Sequence, residues 1–86
     1  MRVEVHPRVA AKRPEIEPSD VRAAFEGTLR KAPRLDVDPV QWVGVGVDGK
    51  GRLLEYVAIE TGEDRWLVFH AMRASAKVLI ETGLRR

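Results

Sequence analysis

The stretch from Val40 to Ala71 reads "VQWVGVGVDGKGRLLEYVAIETGEDRWLVFHA", and its period decides the fold. Val43, Val45 and Val47 alternate with Trp42, Gly44 and Gly46, the two-residue repeat of a strand. "DGKG", Asp48 to Gly51, has the composition of a hairpin loop. "RLLEYVAIE" resumes the alternation, with Leu54, Tyr56 and Ala58 on one face and Leu53, Val57 and Ile59 on the other. "TGEDR" turns the chain again, and Arg65 to Ala71 form a third strand. Three strands joined by short loops make an antiparallel meander.

Working outward, the period changes on both sides. Upstream, "RVEV" at residues 2–5 alternates as a short first strand, and residues 8–13 form a helical turn that Pro14 ends. "EPSDVRAAFEGTLRKAP" reads as a helix capped by Ser19 and stopped by Pro33, with Val21, Ala24, Phe25, Thr28, Leu29 and Ala32 on its inner face. Downstream, a helix is expected from about Arg73 to Thr82, with Met72, Ala76, Leu79 and Ile80 inward and Gly83 as its stop. The expectation is a single α+β domain over residues 1–86. Its antiparallel sheet has three to four strands in the order β-α-α-β-β-β-α, with the helices packed on one side.

Composition narrows the function. The chain has 86 residues, 44% of them apolar and 33% charged, which suits a small globular domain. It has no cysteine, so neither a disulfide framework nor a thiolate metal site can form. No apolar run reaches the ~18 residues of a membrane span and no secretory h-region is visible, so a cytoplasmic location is the expectation. Charge is segregated: residues 1–35 carry 8 Lys/Arg against 5 Asp/Glu, residues 36–64 carry 2 against 7, and residues 65–86 carry 5 against 1. Such a division either presents a basic face to an anionic partner or is chance clustering on a solvated surface.

Among motifs, Gly44 to Gly49 matches G-x-G-x-x-G by letters. A dinucleotide site needs a helix directly after those glycines, and here a strand follows, so the glycines read as room for packing. His6 and His70 are the only histidines, and neither has a metal-ligand spacing. Trp42 and Trp66 read as core packing before base stacking.

A metal-free chemistry remains open. Cleavage of RNA by its own 2′-hydroxyl needs a proton acceptor, a proton donor and cations on the phosphorane, which His, Glu, Arg and Lys can supply. Arg52 and Glu55 lie on one strand, Arg65 and His70 on its neighbour, and Arg73 and Lys77 follow at i, i+4. Strict alternation sets Glu55 opposite Arg52, and His70 opposite Arg65, placing His70 with Trp66 and Val68. Only a loop or bulge could make these residues converge. His70 is therefore either a core histidine with a hydrogen-bond partner or part of an anion-handling surface.

From Trp42 to Lys77 the chain resembles the BrnT-like toxins, a branch of the RelE-type ribonuclease fold. The resemblance is carried by "VGVG", "DGKGRLLEYVAI" and "RWLVFHAMRASAK", with "DVRAAFEG" fitting the family's upstream helix. It looks most similar to a subset of small actinobacterial proteins with His-Ala-Met-Arg-like strand ends. The resemblance implies an endoribonuclease acting on mRNA as the toxin of a type II toxin–antitoxin system, with no metal and no other cofactor. Position by position it carries over to Lys12, Arg52 and Arg73, with His70 as a replacement acid or base. With the residue reading above, the expected catalytic residues are His70, Arg52 and Arg73, and the RNA- or phosphate-binding ones Lys12, Lys77 and Arg65. The implied partners are the RNA substrate and a DNA-binding antitoxin of ribbon-helix-helix type, with a homodimer also open and no membrane. Two positions depart from the family pattern: Arg13 stands where a histidine is usual, and Met72 where the first of two basic residues is usual. A non-catalytic binding module of the same fold, for a protein or RNA partner, is the alternative.

Overall fold

The computed structural model describes residues 1–86. Its elements run β1 Arg2–Val5, α1 Pro7–Lys12, α2 Pro18–Glu26, β2 Thr28–Arg34, β3 Gln41–Val47, β4 Leu53–Gly62, β5 Arg65–Arg73 and α3 Ala76–Glu81. The five strands form one mixed sheet in the order β1-β5-β4-β3-β2. The meander β3-β4-β5 is antiparallel, as its period requires, and β1 joins the edge of β5 in parallel, from Arg2 opposite Arg65 to Val5 opposite Val68.

The expected long second helix is in fact two elements. α2 ends at Gly27, whose N–H bonds Ala23 O, and the chain turns at once into β2, which pairs antiparallel with β3. Leu29 and Ala32 fall at a helical spacing in the sequence, but Leu29 is 54% exposed in the sheet, at an irregularity in the β2–β3 register. Pro33 does not stop a helix here; it lies in an edge strand, where its missing N–H costs no ladder bond on the open side. The cap also differs from expectation. Glu17 is the N-cap and Pro18 opens the helix, with the Glu17 N–H donating to the Asp20 carboxylate at 3.0 Å.

The helices do not share one side. Val9 of α1 and Val21 and Ala24 of α2 pack with Leu54, Tyr56, Ala58, Val68 and Ala71 on one face. Val78 of α3 packs with Val43, Val45 and Val57 on the other. The strand pattern dictates this, since β4 buries both of its alternating sets and so needs cover on both faces. α3 is also shorter than expected, because β5 runs through Arg73 and Ser75 is the N-cap. The Arg34–Glu81 ion pair, at 2.8 and 2.9 Å, ties the end of β2 to α3.

The two glycines of β3 explain how tightly the first layer closes. A Cβ on Gly46 would lie 1.9 Å from Ala24 O, and one on Gly44 would lie 2.1 Å from the Tyr56 ring. α2 therefore rests directly on the backbone of β3, and the Tyr56 ring lies over Gly44. Its hydroxyl is 2.7 Å from Thr28 Oγ1 at the helix-to-strand turn.

Candidate functional site: a histidine–carboxylate pair beside a basic helix end

The first of the polar clusters is built by the β3–β4 hairpin. Asp48 accepts the backbone N–H groups of Lys50 and Arg52 through Oδ1, which fixes the turn, and its Oδ2 accepts Arg52 Nε at 2.7 Å. The same guanidinium donates to Asp20 Oδ2 at 2.9 Å and to Glu15 O at 3.0 Å, and Lys50 Nζ donates to Asp20 at 3.1 Å. Burial alone would raise the carboxyls of Asp20 and Asp48. Hydrogen bonds and the adjacent cations outweigh it and hold both below their ordinary values. Arg52 thus clamps the start of α2 to the hairpin, and each of its three guanidinium nitrogens donates within the protein.

The second cluster lies across β4, β5 and the start of α3. Between Val57 and Ala58 the register with β5 shifts: Val57 faces His70 and Ala58 faces Val68, leaving Phe69 without a partner. This bulge turns Phe69 and His70 to the same side of the sheet. His70 therefore joins Val57 and Glu55 on the α3 face and leaves the Trp66–Val68 face on which simple alternation places it. His70 Nε2 is 2.9 Å from Glu55 Oε2, and the other Glu55 oxygen accepts the Ser75 N–H at 2.8 Å and the Ser75 hydroxyl at 2.6 Å. Glu55 is buried, 5% exposed, while the His70 side chain is 32% exposed. Burial would raise the Glu55 carboxyl, but hydrogen bonds from Ser75 and His70 prevail and hold it below its ordinary value. An ionised carboxylate only accepts, so His70 donates through Nε2–H, and in the neutral ring the lone pair is then on Nδ1.

A water-sized cleft of about 20 Å³ opens beside His70, lined by Arg8, Val9, Lys12, Arg13, Phe69 and Ala71. It exists because β1 covers β5 only as far as Val68, after which α1 takes over the edge. Arg8 and Lys12 are one helical turn apart on α1, and Arg13 caps it. None of the three pairs with a carboxylate. Arg13 instead donates to Met72 Sδ at 3.6 Å. The two positions that depart from the family pattern thus touch each other.

Of the residues singled out in the sequence, His70 and Lys12 meet at this cleft. Arg73, at the exposed end of β5, and Lys77, in α3, flank Ser75 on either side; they do not share a helix. Lys77 lines a separate surface groove with Arg34, Asp36, Ile80 and Glu81. Arg65 is at the opposite end of β5, about 15 Å from His70 along the strand. Arg52 is held in the hairpin network. The sequence alone assigns no binding role to Arg8 or Arg13, and it does not mark Glu55 as the anchor of His70. The available signal is the antiparallel pairing of β4 with β5, which brings Glu55 near His70 once one bulge is allowed.

These features define a small α+β domain with a five-stranded mixed sheet and a histidine–carboxylate pair at the open edge of its last strand. Comparison with protein-family models, curated proteins and solved structures finds no match to this chain. None of its helices is long and apolar enough to cross a membrane.

Proposed function

We propose that this chain is a BrnT-like toxin of a type II toxin–antitoxin system, a cytoplasmic endoribonuclease acting on mRNA without a metal. The observation that supports it is His70, anchored at Nε2 by buried Glu55 and bordered by three cations that lack carboxylate partners. In this reading a phosphodiester rests at the mouth of the cleft on Arg8, Lys12 and Arg13. His70 Nδ1 takes the proton of the 2′-hydroxyl, the 2′-oxygen bonds to phosphorus, and the bond to the 5′-oxygen breaks. That oxygen takes a proton from Lys12 or solvent, leaving a 2′,3′-cyclic phosphate and a 5′-hydroxyl. The cations stabilise the charge that grows on the phosphorane, and Glu55 stabilises the imidazolium. Arg73 adds a cation at the end of β5 and Lys77 one on α3, while Arg52 acts by holding α2 in place.

The partner in this reading is a DNA-binding antitoxin of ribbon-helix-helix type, whose acidic segment covers the α1 cations and so blocks the cleft. Incubating the purified protein with total RNA, with and without EDTA, tests the activity. Cleavage unaffected by chelator supports it, and intact RNA at high protein concentration contradicts it.

A second reading, a non-catalytic binding module of the same fold, is favoured by one observation. The Arg13–Met72 contact occupies the two departures from the family pattern, and the cleft beside it admits no more than a water or one phosphate oxygen. RNA retained without cleavage, and released as salt rises, is its signature.

A further inference from the structure

The sheet face that carries α2 is not covered to its edge. Beyond the end of the helix lies a groove of about 490 Å³ whose lining includes Phe25, Leu29, Tyr56, Arg30 and Lys31, with Glu26 as its one carboxylate. Its volume is in the range of small-ligand sites. Phe25 packs against Tyr56 at 5.0 Å between ring centroids and against Trp66 at 5.6 Å. The Lys31 ammonium lies 5.2 Å from the Trp42 ring centroid and 5.9 Å from that of Trp66, so one cation faces both indoles. Both tryptophans are half-buried, and neither Arg30 nor Lys31 has a carboxylate partner.

We propose that this groove, together with the tryptophan pair that adjoins it through Phe25 and Lys31, is a second RNA-binding surface, on which unpaired bases stack against Phe25, Trp66 and Trp42 while Arg30 and Lys31 hold the flanking phosphates. The inference rests on the RNA reading above and adds to it a preference for single-stranded RNA. Three features favour this occupant. Flat π faces beside a cation suit a base joined to a phosphate, and stacking accepts any base. Arg30 and Lys31 outnumber Glu26, the one carboxylate in the lining, so the groove is net basic. The groove adjoins β2, the edge strand farthest from His70, so it lengthens the bound stretch of RNA without occupying the cleft.

The test is binding of a fluorescein-labelled single-stranded RNA dodecamer, read both by anisotropy and by quenching of the two tryptophans. Lys31→Ala and Arg30→Ala change exposed side chains, so folding is preserved, and thermal melts verify it. Trp42→Phe and Trp66→Phe assign the quenching to one ring or the other. The expected result is quenching on RNA addition, weaker for a duplex of the same sequence. Binding should weaken about tenfold for a Lys31→Ala, Arg30→Ala double variant and for Trp42→Ala. If these variants bind like the parent while Lys12→Ala and Arg13→Ala weaken binding, the groove proposal is overturned and the cleft reading stands. Failure of the parent to bind RNA at all overturns both. An acidic peptide that binds in a Lys31-dependent way, with RNA indifferent to Lys31, overturns the RNA assignment in favour of a protein partner.

Discussion

The Glu55 carboxylate accepts His70 Nε2 at 2.9 Å through one oxygen and the Ser75 N–H and hydroxyl through the other. One buried acid thus fixes the tautomer of the histidine and the start of α3 together. The arrangement follows from the bulge at Phe69, which brings His70 to the Glu55 side of the sheet. The imidazole is held in one orientation, which the proposed chemistry at Nδ1 would use, and the burial of Glu55 is stabilised by the bonds it accepts.

Glu55→Gln keeps the shape and removes the charge. It should cost about 1.5–3 kcal/mol through weakened hydrogen bonds to a formerly ionised group. If the RNA reading holds, cleavage falls with it, since nothing then favours the Nε2-protonated tautomer or the imidazolium. Urea denaturation together with the pH–rate profile checks both. An unchanged profile would remove Glu55 as the positioning residue.

Acid should destabilise the protein in a defined window. Glu55, Asp20, Asp48 and Glu81 are all held below their ordinary values of 4.5 or 3.8. A carboxyl with a depressed folded-state pKa contributes stability that is complete above its unfolded pKa and lost as pH falls through the folded one. The thermal midpoint should therefore be flat above roughly pH 5.5 and fall steeply below roughly pH 4.5. Glu55→Gln should make that fall shallower.

Gly46→Ala should lower stability by about 3 kcal/mol or more, because the new methyl meets Ala24 O at 1.9 Å and α2 must lift from the sheet. Gly49→Ala is the control: nothing lies within 4 Å of its Cβ, and the change should be nearly neutral. Chemical denaturation of both variants separates close packing from a general intolerance of the hairpin.

Arg52→Ala and Arg73→Ala should behave differently. The first strips buried Asp20 and Asp48 of a shared partner and should lower the thermal midpoint markedly. The second removes an exposed side chain at the end of β5 and should leave the midpoint nearly unchanged. In RNA binding the order reverses: Arg73→Ala, like Lys12→Ala, should reduce the salt slope by roughly 0.7 for each phosphate the variant no longer neutralises.

The parts legible in the sequence are those governed by local period. The β3-β4-β5 meander, both of its turns, the first strand and the short α1 follow from alternation, turn composition and Pro14. The split of α2 from β2 is hidden because Leu29 and Ala32 continue a helical spacing past Gly27. Only the pairing of β2 with β3 overrides that local preference. The placement of α3 on the second face is implicit in β4, whose two alternating sets are apolar apart from Glu55. For the site, Lys12 and His70 are readable as candidates. The partners that give them meaning are not, since Glu55 meets His70 only through a one-residue bulge. Likewise Arg52 meets Asp20, 32 residues away, only once the hairpin has docked on α2.

The central claim is that His70 performs chemistry on RNA. The direct measurement is cleavage of a labelled single-stranded RNA by the purified protein and by His70→Ala, with thermal melts of both. The parent should cleave to a 2′,3′-cyclic phosphate end. His70→Ala should lose about 10²–10⁴-fold in rate with nearly the same thermal midpoint. Equal cleavage by the folded variant, or none by the parent, would contradict it.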